Sequence, residues 1–527
     1  MPTKKQTFLQ GTLILVAAGL LTKLLGFINR IFLSRIIGAE GMGLYQMAVP
    51  TLYLVITLTQ FGLPIAISKL VAEATAQNDH KKVKAILKIS LFLVTILSVI
   101  FTTAMILGAP MISRYLLTDT RAYYSLIGIA PIVPIVAISS VIRGYFQGKQ
   151  NMTPTASSQI IEQVIRIFTV LLLASYFLPM GVEYAAAAAM VGVVIGEFAG
   201  MIALVMHFRG TKMRQIWAGS RLNQAIKRHA ETWKGLLRIA LPVTSGRLIG
   251  SLTFWIEPII VAQSLAIAGL ATAAATTYYG QLQGMAIPLL TFPTFFTYSL
   301  AVSLVPAVAE AHAQKNWAMV HRRIHQSLRL ALVIGAPFTV ILYIFAEPLS
   351  EVIYGSAEVG SIMKLMVPFC LFLYFQGPLA ATLQGLDYAQ VAMKNSIYGA
   401  ILKTFAIYIL ATNPNIGTNG ITIAISIGIV IVTLLHFFSV VKLTGLSIQL
   451  RDFIKVALSM IGMGWFGILS FEKLQVWMPQ SAALFSASLG AIFIYLIFLL
   501  FLKVLGKQDI QRIPFLGKFI SPLFPLR

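Results

Sequence analysis

Three cations, Lys23, Arg30 and Arg247, sit inside long apolar runs, where a charge is hardest to keep. Lys23 and Arg30 are seven residues apart, so on a helix they share one face, about 10 Å apart along the axis. An internal repeat, set out below, gives Arg247 the position equivalent to Lys23. No acidic residue lies in the runs 11–37 and 43–67 to neutralise the first pair. A charge at mid-bilayer costs roughly 2.5–3.5 kcal/mol on insertion scales, so three of them need a reason. The chemistry this pattern suits is capture of an anion by charge-assisted hydrogen bonds, Arg as a planar fork and Lys as a point charge. Snorkelling to an interface, or pairing with Glu257, is the alternative. Asn29 and Gln60 add neutral polar groups to the same two runs and are assigned to the same site.

Other residues carry different chemistry. Glu257 is the lone carboxylate on the two polar helices of the second half; it could bind a coupling cation or pair with a cavity cation. Glu162 and Arg166, at i and i+4, read as a structural ion pair. Lys403 repeats Arg166 without a matching acid and is a further coupling candidate, whereas Glu197 has no obvious partner. His312, His321 and His325 flank Arg322 and Arg323, which disfavours a metal and suits a solvated face. Glu347, Glu351 and Asp119 are the only candidates for a catalytic acid, on external connections too short for a catalytic domain. No GxxxxGK[ST] phosphate loop is present, so the chain does not hydrolyse ATP itself. The expectation is a protein that is not an enzyme, with no metal or cofactor, and a coupling ion left open between Na+ and H+.

The elements that must position these groups follow from composition. Of 527 residues, 58% are hydrophobic and only 11% charged, with a mean hydropathy of +0.84, which excludes disorder and an ordinary soluble domain. One cysteine, Cys370, excludes an intramolecular disulfide framework. The net charge of +23 suits nucleic acid in a soluble protein, but here a positive-inside bias is the simpler reading. Fourteen apolar stretches recur: 11–37, 43–67, 86–107, 124–145, 157–178, 184–207, 237–265, 280–307, 328–345, 363–383, 391–411, 420–441, 454–471 and 483–502. Each is near the ~20 residues that cross the hydrocarbon core, and helices satisfy their own backbone there. The fold class is therefore an all-α polytopic membrane protein of fourteen transmembrane helices. Lys and Arg concentrate on the even-numbered connections and both ends, which puts both termini at the cytoplasmic side of the cytoplasmic membrane. The apolar run after Lys4 and Lys5 is too long for a cleaved signal and reads as a first span.

A constant offset of 237 places Val71-Ala72-Glu73-Ala74 on Val308-Ala309-Glu310-Ala311, Gln147-Gly148 on Gln384-Gly385, and Arg166 on Lys403. Near the start the offset falls to 224, placing Lys23-Leu24-Leu25-Gly26 on Arg247-Leu248-Ile249-Gly250. Each copy holds an even number of spans, so both enter the membrane from one side, a parallel repeat. The organisation read from this is an N-terminal lobe 1–209 (six helices), an amphipathic cytoplasmic linker 210–236, and a C-terminal lobe 237–445 (six helices). Two further helices fill 446–505, and an interfacial tail 506–527 ends the chain. The polar helices 1, 2, 7 and 8 occupy symmetric positions, which implies a hydrated central cavity between the lobes.

Several motifs carry a resemblance. Gly26-Phe27-Ile28-Asn29-Arg30, Thr59-Gln60-Phe61-Gly62-Leu63-Pro64, Arg143-Gly144-Tyr145-Phe146-Gln147-Gly148-Lys149-Gln150-Asn151, Glu257-Pro258-Ile259-Ile260-Val261-Ala262-Gln263-Ser264 and Arg512-Ile513-Pro514 are similar to the stage V sporulation protein B family. That family belongs to the multidrug/oligosaccharidyl-lipid/polysaccharide exporter superfamily, related to the lipid II flippases. The resemblance implies a V-shaped transporter whose cavity is lined by helices 1, 2, 7 and 8. It implies a polyprenyl-pyrophosphate-linked sugar as substrate, a role in spore cortex formation, and Lys23, Arg30 and Arg247 as the cavity cations. Helix 2 here lacks the cation the lipid II flippases carry. Helix 11 offers Asn395 where their sodium site has a carboxylate, with Glu257 on helix 7 still available.

The function expected is a flippase that moves a lipid II-like precursor by alternating access for peptidoglycan synthesis. The rivals are a cation-coupled multidrug antiporter of the same superfamily and a membrane-embedded glycan polymerase. Expected partners are the lipid-linked oligosaccharide, membrane lipids and cell-wall synthesis proteins, with no nucleic acid and a monomeric state.

Overall fold

The structure, a computed structural model, describes residues 8–209, 230–447 and 450–504. Most of the linker read at 210–236 and the tail read at 506–527 lie outside the described residues. The described chain is helical, with no strand. In order, it forms α1 (Phe8–Gln60), α2 (Leu63–Ala76), α3 (His80–Met111), α4 (Ala122–Ile129), α5 (Ile132–Gly148), α6 (Thr153–Phe177) and α7 (Val182–Arg209). After the linker come α8 (Ala230–Ile267), α9 (Thr272–Tyr279), a π-helix (Gly280–Ala286), α10 (Ile287–Thr291), α11 (Thr294–Ala313) and α12 (Trp317–Ile344). The remainder is α13 (Ala346–Tyr354), α14 (Glu358–Met366), α15 (Cys370–Gly385), α16 (Ala389–Ala411), α17 (Gly417–Thr444), α18 (Leu450–Leu474) and α19 (Gln480–Phe501).

Twelve helical stretches among the described residues are long and apolar enough to cross a membrane, where the sequence suggests fourteen. The difference has two sources. The first stretch, Ile14–Ala76, runs 63 residues and takes in two of the expected spans. At 1.5 Å per residue it is about three times the ~30 Å a single crossing needs. It is broken at Gly38, whose φ of 69° and ψ of −174° are not helical, and again at Phe61 and Gly62, both with positive φ. Glycine adopts the positive φ at position 38 without the strain a Cβ would bring. The other source is the eleventh expected span, which forms the regular helix α16 but is not among the twelve.

By packing, the chain divides into two compact units. One holds residues 1–285 with 407–420; the other holds 286–406 with 421–527. This division is drawn by contacts, and the boundaries 1–209 and 237–445 are a reading of the repeat. In the first unit, α2, α3, α5 and the start of α8 share a core of Leu63, Ile67, Val71, Ile86, Tyr145, Phe146, Leu236 and Ala240. In the second, α11, α12, α15 and α17 share Leu304, Val308, Val320, Ile324, Leu383 and Val440. The two cores are built alike. A Cβ on Gly148 would lie 2.6 Å from the Ser68 carbonyl and 2.8 Å from Val71; on Gly385 it would lie 2.8 Å from the Val305 carbonyl and 2.9 Å from Val308. All three pairs are offset by the same 237 residues, so the repeat is one of packing as well as of sequence.

Candidate functional site

Lys23 is exposed on α1, Arg30 half-buried, and Asn29 between them 7% exposed, with no hydrogen-bond partner for its Oδ1 among the described residues. Gln60 is half-buried at the last residue of α1. Behind this face lies α6, whose Gln163 side chain comes within 3.6 Å of where a Cβ on Gly26 would stand. Arg247 is exposed on α8.

The second half of α1 and α8 run antiparallel, and polar side chains connect them rung by rung. Trp255 Nε1 donates to Thr51 Oγ1 at 3.1 Å, and the Thr57 and Ser251 hydroxyls meet at 2.7 Å. Phe254 meets Tyr53 edge-on at 5.9 Å between centroids. Farther along, a Cβ on Gly62 would stand 2.6 Å from the Ala240 carbonyl. Of the polar residues that distinguish these helices in sequence, Thr51, Thr57 and Ser251 thus bind the two to each other, whereas Thr59, Thr244, Ser245 and Thr253 bond carbonyls one turn back on their own helix.

At the other end of this pair is a close, two-fold-like crossing. A Cβ on Gly43 would lie 2.0 Å from the Thr276 carbonyl oxygen; one on Gly280 would lie 1.9 Å from the Ala39 carbonyl oxygen. Gly43 and Gly280, and likewise Ala39 and Thr276, are repeat equivalents at offset 237. So are Gln46 and Gln283, and Gln46 Nε2 donates to the Gln283 carbonyl at 3.3 Å. Small residues at such a crossing let two backbones approach directly. Gln283 belongs to the π-helical segment, and its Nε2 donates to Glu257 Oε1 at 2.6 Å. Glu257 is 5% exposed. A π-turn widens a helix locally and is often kept for function. Here it carries the side chain that holds the buried carboxylate.

An ion cluster closes over this crossing. Arg121 donates to Glu40 Oε1 at 2.6 Å and to Asp119 Oδ2 at 2.9 Å, and Thr276 Oγ1 donates to the same Asp119 oxygen at 2.7 Å. Gln263 Nε2 donates to the Tyr115 carbonyl at 2.6 Å, and Tyr278 donates to the Thr418 carbonyl at 2.6 Å. Four odd-numbered connections therefore meet at one end of the first unit, as a chain that crosses back and forth requires. Burial pushes the Asp119 carboxyl up, but hydrogen bonds from Arg121 and Thr276 outweigh it and hold it below its ordinary value. Arg121 is pushed up, chiefly by its hydrogen bonds to Asp119. A carboxyl held ionised in this way is a poor general acid. From the sequence Asp119 stands only as a catalytic candidate; the nearness of Arg121, two residues away, was the available signal for a local ion pair.

Elsewhere, partners replace expectations. Glu197 is bound by Arg143 at 3.1 Å and lies 3.7 Å from Arg166; Glu162 is bound by Arg143 at 3.0 Å and by Arg166. The predicted Glu162–Arg166 pair is thus half of a neutral quartet from α5, α6 and α7, and Glu197 is not partnerless. Asn395 Nδ2 donates to the Leu435 carbonyl at 3.1 Å and to Ser439 Oγ at 2.9 Å, fastening α16 to α17. Lys403 is half-buried with its stem against Gly428, just as Arg166 lies against Gly196. His321 and His325 are half-buried and hydrogen-bond the carbonyls of Thr444 and Ser447 at 2.6 and 2.7 Å, at and just past the end of α17, while Arg322 and Arg323 between them are exposed. Glu347 is paired with Lys364 at 2.8 Å, and Glu351 accepts from Gln480 at 3.0 Å. Among the described residues no group of three or more His, Cys, Asp or Glu could hold a metal ion.

Comparison with known proteins gives this arrangement a family. The polysaccharide biosynthesis protein family matches residues 8–275, and the MatE family matches 258–409. The chain is 48% identical over 526 residues to stage V sporulation protein B of Bacillus subtilis (strain 168), covering 98% of this chain and 99% of that one. The solved structure of the lipid II flippase MurJ in an inward closed conformation superimposes with a TM-score of 0.69 at 14% identity, over 93% of this chain and 99% of that one. A multidrug resistance MATE family transporter of the MOP superfamily, in an inward-facing conformation, gives 0.63 at 18% identity, over 80% of this chain and 94% of that one. The chain belongs to the polysaccharide biosynthesis protein family, and it is a multi-pass membrane transporter of the multidrug/oligosaccharidyl-lipid/polysaccharide exporter superfamily rather than an enzyme.

Proposed function

We propose that the protein is a flippase that carries a polyprenyl-pyrophosphate-linked cell-wall sugar precursor across the cytoplasmic membrane by alternating access, for peptidoglycan synthesis of the spore cortex. One observation carries the reading. Helix α1 bears Lys23, Arg30 and Arg35, while its single carboxylate, Glu40, is held by Arg121. A helix with that charge suits a pyrophosphate, and a pyrophosphate carries more charge than one side chain matches. Lys23 and Arg30 from one repeat and Arg247 from the other form its binding set, with Asn29 and Gln60 as neutral contacts. The stage V sporulation protein B relative and the fold shared with a lipid II flippase support the same substrate class. Both termini face the cytoplasm, the protein acts as a monomer, and cell-wall synthesis proteins receive the cargo.

The crossing at Gly43 and Gly280, with the Arg121 cluster above it, acts as the closed gate at the external end. Glu257 is the coupling carboxylate: its bond to Gln283 ties a cation or proton event to the helix that crosses at Gly280. The same carboxylate favours the second reading, a cation-coupled antiporter. The discriminating experiment reconstitutes the protein in proteoliposomes and follows translocation of fluorescent lipid II beside efflux of cationic drugs. Drug transport without lipid II movement refutes the flippase. Modification from outside the cell of a cysteine placed at either terminus refutes the orientation.

A further inference from the structure

The helix pair α18–α19 holds a cleft whose lining contains none of the residues assigned above to the substrate. It is an open cleft of about 630 Å³ lined by Leu450, Arg451, Asp452, Lys455 and Lys503. Arg451 and Lys455 stand on the first two turns of α18; Lys503 follows the end of α19. The two helices are antiparallel neighbours that share a core of Val456, Met463, Tyr495 and Leu499, so the three cations sit at one end of the hairpin. Both helices are apolar enough to cross a membrane, which places that end at a bilayer surface. Leu450 in the lining is 67% exposed, and near lining residues in sequence, on the same two helices, Ile454 is 59% and Phe501 82% exposed.

We infer that this cleft is a binding site for the headgroup of an anionic phospholipid. Three cations against one carboxylate suit a phosphodiester, and basic pockets between helices at the membrane surface bind such headgroups. The exposed Leu450, Ile454 and Phe501 lie where the acyl chains of a lipid seated there would run. Asp452 stands among these cations, so the lining keeps a net charge of +2 for the phosphate while the carboxylate accepts from headgroup hydroxyls. The following segment 505–527 carries Lys507, Arg512, Lys518 and Arg527 against Asp509 alone, so like charge disfavours it as the occupant.

The test uses the full chain in nanodiscs of phosphatidylcholine, with and without phosphatidylglycerol, and counts the lipids it retains by native mass spectrometry. Wild type should retain phosphatidylglycerol. The variant Arg451→Gln, Lys455→Gln, Lys503→Gln should lose affinity about a hundredfold, at roughly fivefold per cation near the surface. A second variant, Lys81→Gln, Lys315→Gln, Arg322→Gln, removes the same charge from exposed sites elsewhere and should retain the lipid. Equal loss in both variants, or unchanged retention in the first, overturns the proposal. An undecaprenyl pyrophosphate arm separates the sources: retention of that lipid alone, with phosphatidylglycerol ignored, assigns the cleft to the transported substrate and overturns it as well.

Discussion

Replacing Gly280 by valine tests whether the crossing near Gly43 is a gate. A Cβ at position 280 stands 1.9 Å from the Ala39 carbonyl oxygen and 2.5 Å from the Gly43 amide nitrogen. Carbon and oxygen come no closer than about 3.3 Å even in weak hydrogen bonds, so the two backbones must separate by about 1.4 Å. The Gln46–Gln283 bond, already 3.3 Å, cannot survive that shift, and the Thr276–Asp119 bond is pulled with it. Overpacking of this kind costs about 1–3 kcal/mol. If that cost falls on the closed state alone, it moves the open-to-closed ratio by roughly 5- to 150-fold. The reporter is Met42→Cys, in a background where the buried Cys370 is replaced by serine. Met42 is fully buried, and its side chain comes within 2.9 Å of where a Cβ on Gly284 would stand. Labelling by a membrane-impermeant maleimide should be slow with Gly280, faster with alanine and fastest with valine, with translocation falling in the same order. Normal elution on size exclusion confirms that each variant is folded. Unchanged labelling and unchanged transport in Gly280→Val would refute the gate.

Other outcomes follow from the same contacts. Because the Asp119 pKa is lowered on folding, its stabilisation is complete above the ordinary carboxylate range and disappears as pH falls through the depressed value. Asp119→Asn should therefore cost about 1.5–3 kcal/mol at neutral pH and nothing once wild type is itself protonated, read as the gap between their thermal unfolding curves across pH. A gap that widens in acid contradicts this sign. Alanine at Lys23, Arg30 or Arg247 should weaken binding of a polyprenyl-pyrophosphate sugar about ten- to a hundredfold, and Arg→Lys at the two arginines should already weaken it. Wild-type binding by the triple alanine variant rules the site out. Glu257→Gln keeps a hydrogen-bonding group opposite Gln283 but removes the charge, so translocation should lose its dependence on sodium or pH. Retention of the wild-type dependence removes Glu257 from coupling.

Composition and periodicity determined that this chain is a bundle of membrane helices in two copies, because hydrophobic length and a constant offset are properties of the sequence itself. The offset of 237 reappears as matched glycine contacts at Gly148 and Gly385, and the local pair Glu162–Arg166 is a geometric consequence of helix pitch. The polar positions Gln46, Thr51, Thr57, Ser251, Glu257 and Gln283 were visible as exceptions within apolar runs. Which of them meet was not, because partners between 26 and 237 residues apart are brought together only by packing. The same holds for Glu197, whose arginines come from two other helices, and for His321 and His325, which find carbonyls at the end of α17. The first two spans were separable in sequence as the apolar runs 11–37 and 43–67, and the structure places the non-helical Gly38 between them within one long helical stretch. Only the folded chain decides that Gly43 and Gly280 touch. Two residues without side chains carry no pattern of their own, and their meaning lies in the carbonyl each one faces.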